Sequence, residues 1–326
     1  MSRVLIACAA VLFAAGTARG DHLLYLESQA VAGYDSGSRE AIFYSQNPDA
    51  EMQRPSIGLD YLHRFSGETG DVATLALQLR LAGKAEEPIS RALEPQVYNA
   101  YVKAKTPLGY AWVGHNRPAF GLSSYFDSHG LLLRTLAIQG FGYDRDWGAG
   151  FYRDFTWGDV SASVTTGTGM PVRLSGNYMA AARASFGVQS QESFNLGFSV
   201  GYGATLDTMG YRVREPDPRR MRLIGVDLTV LLDNLEHRFD LYSGTWLGQK
   251  TFAASYRLGL NLDQEGRLKL EAQPTYWRTA EENDFEAAVC VSSLVTSNLT
   301  IRLAYTYTHD WADHRLLLQL YYYRPT

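Results

Sequence analysis

The sequence has 326 residues, with 30 basic and 34 acidic side chains, seven histidines and two cysteines. Removing residues 1–20 takes Arg3 and Arg19 and no acid, leaving 28 basic against 34 acidic residues and a net charge of −6. That balance excludes the broad basic footprint of a nucleic-acid binder. Cys290 is then the only cysteine, so an intrachain disulfide and a thiolate metal site are excluded as well.

Residues 1–20 read as an export signal. Arg3 gives the charged start, residues 4–15 the apolar run, and Ala18 and Gly20 the small residues of a cleavage site before Asp21. A lipoprotein box ending at Cys8 would leave almost no apolar core ahead of it. No later apolar run is long enough for a membrane helix. The expected organisation is a signal over 1–20 and one domain over 21–326.

From there to the end the chain alternates. In 72–82, Leu75, Leu77, Leu79 and Leu81 share one face, with Thr74, Ala76, Gln78 and Arg80 on the other. Period two is the mark of a strand with one apolar and one polar side. The pattern returns at 57–61, and at 98–103, where Tyr98, Ala100 and Val102 oppose Asn99, Tyr101 and Lys103. It continues at 194–202, 224–230, 252–261, 268–273 and 299–305. Short connections (66–71, 106–109, 156–159, 233–236, 263–266, 296–298) alternate with longer ones (33–54, 83–94, 118–147, 204–220, then near 247, 280 and 310). Short turns on one rim and long loops on the other describe an outer-membrane barrel. The expected fold is all-β: a transmembrane antiparallel up-and-down β-barrel of about 16 strands. A soluble sandwich alternates too. The number of evenly spaced strands favours the barrel, as do the rings near strand ends (Tyr110, Trp112, Trp147, Trp157, Tyr202, Trp246, Tyr276, Tyr305, Tyr307).

Residues 114–147 form the longest interval without clear alternation. A loop of roughly thirty residues is unusual in a compact domain, whereas a wide barrel can take it inside. Two readings stand: a third external loop folded into the lumen to narrow a pore, or an external loop with its own hairpin at 136–143. Register follows from energetics. An Arg or Lys facing lipid at mid-bilayer costs about 2–4 kcal/mol. Arg80, Lys103, Arg183, Arg257, Lys269 and Arg302 therefore face inward, with Asp60, Asp227 and Glu271 as opposing acids. A wet lumen accepts six such cations, while a plugged one needs each of them paired. Arg117, Asp127, His129, Arg134, Asp144, Arg145 and Asp146 are the charged candidates on the constriction loop. Fixed charges there set the field a permeating ion meets. Mid-strand cations outnumber acids, which leans the pore toward anions.

Other chemistry is poorly supported. Ser123, Ser124, Ser128 and His129 crowd one loop, but there is no G-x-S-x-G elbow. His309, Asp310, Asp313 and His314 read as a polar hairpin tip, and the glycines at 167 and 169 precede no helix. No cofactor is expected. A structural or adhesive barrel is the alternative from another class, and an outer-membrane hydrolase a more remote one.

At GHNRPAFGL, residues 114–122, the chain resembles the bacterial outer-membrane porin superfamily, including phosphate-selective-porin-like barrels; Pro118 and Gly121 carry the likeness. The last strand resembles the aromatic strand that the barrel-assembly machinery reads. It ends Arg324-Pro325-Thr326, so Tyr323 stands where a terminal Phe is usual. The resemblance implies a diffusion pore for small hydrophilic solutes in contact with outer-membrane lipid and lipopolysaccharide, with trimers usual. No phosphate site carries over, because no arginine ladder matches residue by residue.

Overall fold

The alternating segments become strands, and the strands close on themselves. The computed structural model describes residues 19–45, 53–68, 70–84, 93–187, 193–280, 282–309 and 313–326. The apolar run of the signal, Cys8 and Asp310 lie outside them. The strands are β1 (Arg19–Asp35), β2 (Glu40–Ile42), β3 (Ser56–Gly67), β4 (Gly70–Gly83), β5 (Leu93–Thr106), β6 (Gly109–Asn116), β7 (Asp146–Phe155), β8 (Gly158–Thr165) and β9 (Tyr178–Phe186). They continue as β10 (Phe194–Met209), β11 (Arg212–Leu232), β12 (Leu235–Trp246), β13 (Gln249–Asn261), β14 (Leu268–Arg278), β15 (Asn283–Leu294), β16 (Leu299–Thr308) and β17 (Asp313–Pro325). Each long strand pairs antiparallel with its sequence neighbours. β1 closes the ring by pairing with β17 from Tyr25↔Pro325 to Asp35↔Arg315, and with β3 from Arg19↔Ser66 to Gln29↔Ser56. The three-residue β2 extends the β3 side against Gly33–Asp35. The result is a closed antiparallel barrel of sixteen long strands.

Its burial is inverted relative to a sandwich. Ile57 is 72% and Ile224 61% exposed on the outer face, while Gln78 is 6% and Asp227 0% exposed on the inner one. A single sheet with apolar side chains outside and polar side chains buried suits a lipid exterior. The start of β1 and the end of β17 share the rim of the short turns, since Arg19 pairs with Ser66 and Pro325 with Tyr25.

Four local expectations change. The interval 204–220 is not an open loop: β10 and β11 pair through it to Met209↔Arg212, turning at Gly210, whose φ is 55°. Backbone pairing there does not need an apolar stripe, so the Arg- and Pro-rich sequence hid it. At Tyr98, the register between β4 and β5 shifts from Gln78↔Asn99 to Leu79↔Val97. This bulge turns Tyr98 into the barrel beside Asn99, against the strict alternation expected. Trp112 and Trp246 are buried on the inner face and do not join a lipid-facing girdle, whereas Trp157, Tyr202, Tyr276 and Tyr305 are exposed on the outside. Closeness to a strand end does not tell which face a ring takes. Tyr323 also turns inward, its hydroxyl donating to Asp60 at 2.8 Å.

Candidate functional site

β6 ends at Asn116, and the chain re-enters the sheet only at Asp146. Pro118 brings no backbone donor, and its carbonyl accepts from Phe120 N at 2.9 Å, turning the chain. Gly121 follows with φ 61°, and a Cβ on it would lie 2.2 Å from the Tyr242 hydroxyl, so only glycine fits against that ring. The segment then meets one wall after another. Ala119 N donates to Ser163 on β8 (2.9 Å), Gly121 N to Ser199 on β10 (3.0 Å), and Leu122 N to Asp240 on β12 (3.3 Å). The Tyr125 hydroxyl donates to Asp227 on β11 at 3.0 Å. Farther along, Arg302 on β16 donates to Gly130 O, Arg257 on β13 to Leu133 O, and Gln273 on β14 to Arg134 O, at 2.9, 2.9 and 2.7 Å. His129 Nε2 lies 2.6 Å from Glu27 on β1.

The 136–143 stretch does not form a hairpin. Gln139 N bonds Thr135 O, Gly140 N bonds Ala137 O, and Phe141 N bonds Leu136 O, making a coiled turn. Leu136, Phe141 and Tyr143 bury against Met179, Met221, Trp246 and Trp277 of the inner face. Apolar residues on every side of a short knot satisfy burial better than a two-faced hairpin.

The charged loop residues are mostly matched. Arg117 reaches Asp127 at 2.7 Å. Arg145 lies 3.4 Å from Asp127 and 3.0 Å from Asp144, and stacks 4.4 Å from the Tyr98 ring centre. Burial works to raise the Asp127 carboxyl, but the Arg145 and Arg117 guanidiniums hold it well below the usual carboxylate range. Arg134 pairs with Glu286. Asp146 faces away from this group. Its carboxylate accepts from Gly167, Thr168 and Gly169 N and from the Thr166 hydroxyl, pinning the neighbouring 166–169 turn.

On the wall the predicted residues all face inward but fall into two kinds. Arg183 is bound by Asp227 at 2.7 Å and Asp159 at 3.2 Å, and Lys269 by Glu236 at 2.9 Å and Glu271 at 3.2 Å. Arg80, Lys103, Arg257 and Arg302 have no carboxylate within ion-pair distance among the described residues. Arg80 bonds Gln96, Arg257 bonds Gln273, Arg302 bonds Gln319, and the Lys103 ammonium sits 5.5 and 5.7 Å from the Tyr110 and Tyr152 ring centres. Asp60, bonded by Tyr323, is likewise without a cation.

Sequence reasoning missed Asp240, which lies directly opposite Asp227 in register. It also missed Glu27, Glu286 and Arg238. Period two over 235–246 points Arg238, Asp240 and Tyr242 to one face and could have found two of them. Arg238 and Arg257 both approach the Phe126 ring of the loop, at 3.9 and 5.2 Å, and Arg183 approaches Tyr125 at 4.4 Å. Such guanidinium–ring contacts strengthen where water is excluded. Between the loop and the short-turn rim lies a cavity of about 370 Å³, bounded by Tyr101, Lys103, Arg117, Tyr125, Asp154 and Arg183.

No serine hydroxyl bonds His129 among the described residues. Ser123 donates to Thr135, and Ser124 donates to Gly121 O.

A closed barrel of sixteen strands with a polar inner face and an apolar outer one belongs to the class of outer-membrane barrels. No family model and no curated protein matches the sequence. Solved structures do. An anion-selective porin from Comamonas acidovorans superposes with a TM-score of 0.64 at 9% identity, over 94% of this chain and 100% of that one. A loop-L8 deletion mutant of OmpT, an outer membrane protein of Vibrio cholerae, gives 0.64 at 12% identity, over 94% and 99%. Pseudomonas putida OprB gives 0.59 at 10% identity, over 98% and 97%. At these identities the likeness shows the fold, which is that of bacterial outer-membrane porins.

Proposed function

We propose that the protein is a porin of a Gram-negative-type outer membrane, passing small hydrophilic solutes or ions by passive diffusion. Residues 117–145 fold into the lumen and form its constriction. The observation that carries this reading is the set of partners of that segment, drawn from β1, β8 and β10–β16 around the inner face. An external loop would not meet opposite walls. Residues 1–20 are removed on export, the last strand is read by the barrel-assembly machinery, and the mature protein forms trimers.

A weak anion preference follows from the charges left unmatched. Arg80, Lys103, Arg257 and Arg302 stand on the inner wall without a carboxylate at ion-pair distance among the described residues, against the acids Asp60, Asp154 and Asp240 without a cation, and fixed charges in a narrow passage are screened less than on an open surface. The resemblance of 114–122 to phosphate-selective-like porins contributes the entry into the loop and no phosphate site.

Purified protein in a planar bilayer should conduct ions, with a modest anion preference at low salt that fades as ionic strength rises. Deleting 123–134 should raise the conductance. If that variant folds, inserts and conducts like the parent, the loop is not the constriction.

A further inference from the structure

The cavity under the loop carries charges that its own walls do not match. Five charged side chains bound it: Lys103, Arg117, Asp154, Asp159 and Arg183. Three of them are engaged. Arg117 pairs with Asp127, and Arg183 with both Asp159 and Asp227. Asp159 also accepts from the Ser185 hydroxyl. The remaining two, Lys103 and Asp154, are opposite in sign, and neither has an ion pair or a side-chain hydrogen bond among the described residues, including with each other. The Lys103 ammonium meets the Tyr110 and Tyr152 rings at 5.5 and 5.7 Å from their centres, near the outer limit of about 6 Å for attraction between a cation and a ring.

Register places the two charges on either side of one ring. Lys103 on β5 stands opposite Trp112 on β6, and Trp112 opposite Gly150 on β7. Tyr152 and then Asp154 are the next inward positions of β7, and residues two apart on one face of a strand lie about 7 Å apart. The Tyr152 ring therefore separates the ammonium from the carboxylate. Tyr101, Trp112 and Tyr125 supply further aromatic wall. At about 370 Å³ the cavity is near the small end of ligand pockets, which run from roughly 300 to 1,000 Å³.

We propose that this cavity is a transit site for a zwitterionic α-amino acid. The solute's carboxylate accepts from the Lys103 ammonium, its ammonium donates to the Asp154 carboxylate, and its side chain lies against the Tyr101 and Tyr125 rings. Charge complementarity carries the assignment. A simple anion gains Lys103 but meets Asp154, a simple cation the reverse, and a neutral sugar makes an ion pair with neither. A molecule with both charges on one carbon satisfies both, because two charge-assisted hydrogen bonds of about 2.7–2.9 Å and the head group between them bridge the gap the two side chains leave. The inference rests on the porin reading and names its solute class.

The test uses the full mature protein in proteoliposomes and tracer uptake of L-leucine and L-arabinose at micromolar concentration. Arabinose, neutral and of similar mass, reports the open bore. In the parent, leucine should enter faster than arabinose, and excess unlabelled leucine should slow its uptake, as a site requires. N-acetyl-leucine lacks the ammonium and leucinamide lacks the carboxylate, so each should compete less well than leucine. Lys103→Gln and Asp154→Asn should each lower the leucine-to-arabinose ratio by about three- to fivefold, the upper range for an ion pair open to water. Heat-resistant migration on gels shows that the variants are folded, and the competition series in the parent decides the matter without them. A wall that merely attracts anions gives a different pattern: the ratio holds or rises in Asp154→Asn, and N-acetyl-leucine competes as well as leucine. Either result overturns the assignment. A parent that admits arabinose but shows no saturable leucine uptake overturns this inference alone, whereas one that admits neither solute overturns the porin reading and this inference with it.

Discussion

Arg183 and Arg257 are both buried arginines in mid-strand on the inner wall, and the sequence makes them look interchangeable. Arg183 is held between two carboxylates, Asp227 and Asp159, and its charge is cancelled where it stands. Arg257 is held by the neutral oxygens of Gln273 and Leu133, with no carboxylate at ion-pair distance among the described residues. One arginine fastens strand to strand. The other fastens the 117–145 segment to the wall. Residue type and register fix the face of a barrel cation; its role depends on what faces it across the next strand.

The comparison breaks most visibly at Asp227. Asp227→Ala leaves Arg183 buried with part of its partnership gone, and removing one member of a buried pair costs about 3–5 kcal/mol. Heat-resistant migration on gels should be lost at a clearly lower temperature. Arg257→Gln removes hydrogen bonds to neutral acceptors, worth about 1.5–3 kcal/mol for a charged donor, and should lower that temperature less. Equal losses in the two variants would erase the distinction.

The lipid side gives the next largest effect. Leu77→Arg should cost about 2–4 kcal/mol and impair assembly, whereas Gln78→Arg on the inner face should be tolerated. If both assemble equally well, the register of β4 is wrong.

In selectivity, the double variant Arg257→Gln with Arg302→Gln should move the reversal potential toward cations at low salt. The double variant Arg183→Gln with Asp227→Asn should change it little, since it removes a matched pair together. Arg134→Glu would set two carboxylates together at Glu286 and should loosen the loop as well as shift selectivity, read as noisier current. A parent-like reversal potential in the double variant would place the anion preference elsewhere.

The smallest effect concerns pH. The Asp127 carboxyl is depressed in the folded chain, so its contribution is fully present above the unfolded value of about 3.9 and is lost only as pH falls through the lower folded value. Lowering the pH from 7 to about 5 should leave the Arg117–Asp127–Arg145 contact intact. The conductance change over that interval should be the same in Asp127→Asn as in the parent.

Period two made most of the barrel readable. The leucines of 72–82, the valine and isoleucine row of 224–230 and the inward cations came out on the faces they occupy, because one face meets lipid and charge there is costly. What a single strand does not carry is its alignment with the next. Asp240 opposite Asp227, the Tyr98 bulge and the two-residue turn at Gly210 are properties of pairs. The same holds for the loop: its length and its Pro-x-x-Gly entry were visible, but its partners lie up to 172 residues away at Arg302. The seven loop charges were found as a group, while their matching to Asp127, Glu27 and Glu286 was not. Asp146 belongs to the neighbouring turn, where backbone donors that leave no mark in sequence gather on it.

The closure of β1 on β17 also sets an order of events. Every other pairing of long strands joins sequence neighbours and can form as a hairpin while the chain is being handled. The seam joins Tyr25 to Pro325, and Thr326 N reaches Leu24 O at 2.9 Å. Loop-closure entropy delays contacts of such long separation, so this seam forms last. Until it does, the cylinder is an open curved sheet, and the 117–145 segment can lie down on β10–β16 from the open side as those strands arrive. A chain lacking its final strand would keep most of its hairpins but no closed wall, so its exposed strand edges would make it aggregate instead of settling as a smaller barrel.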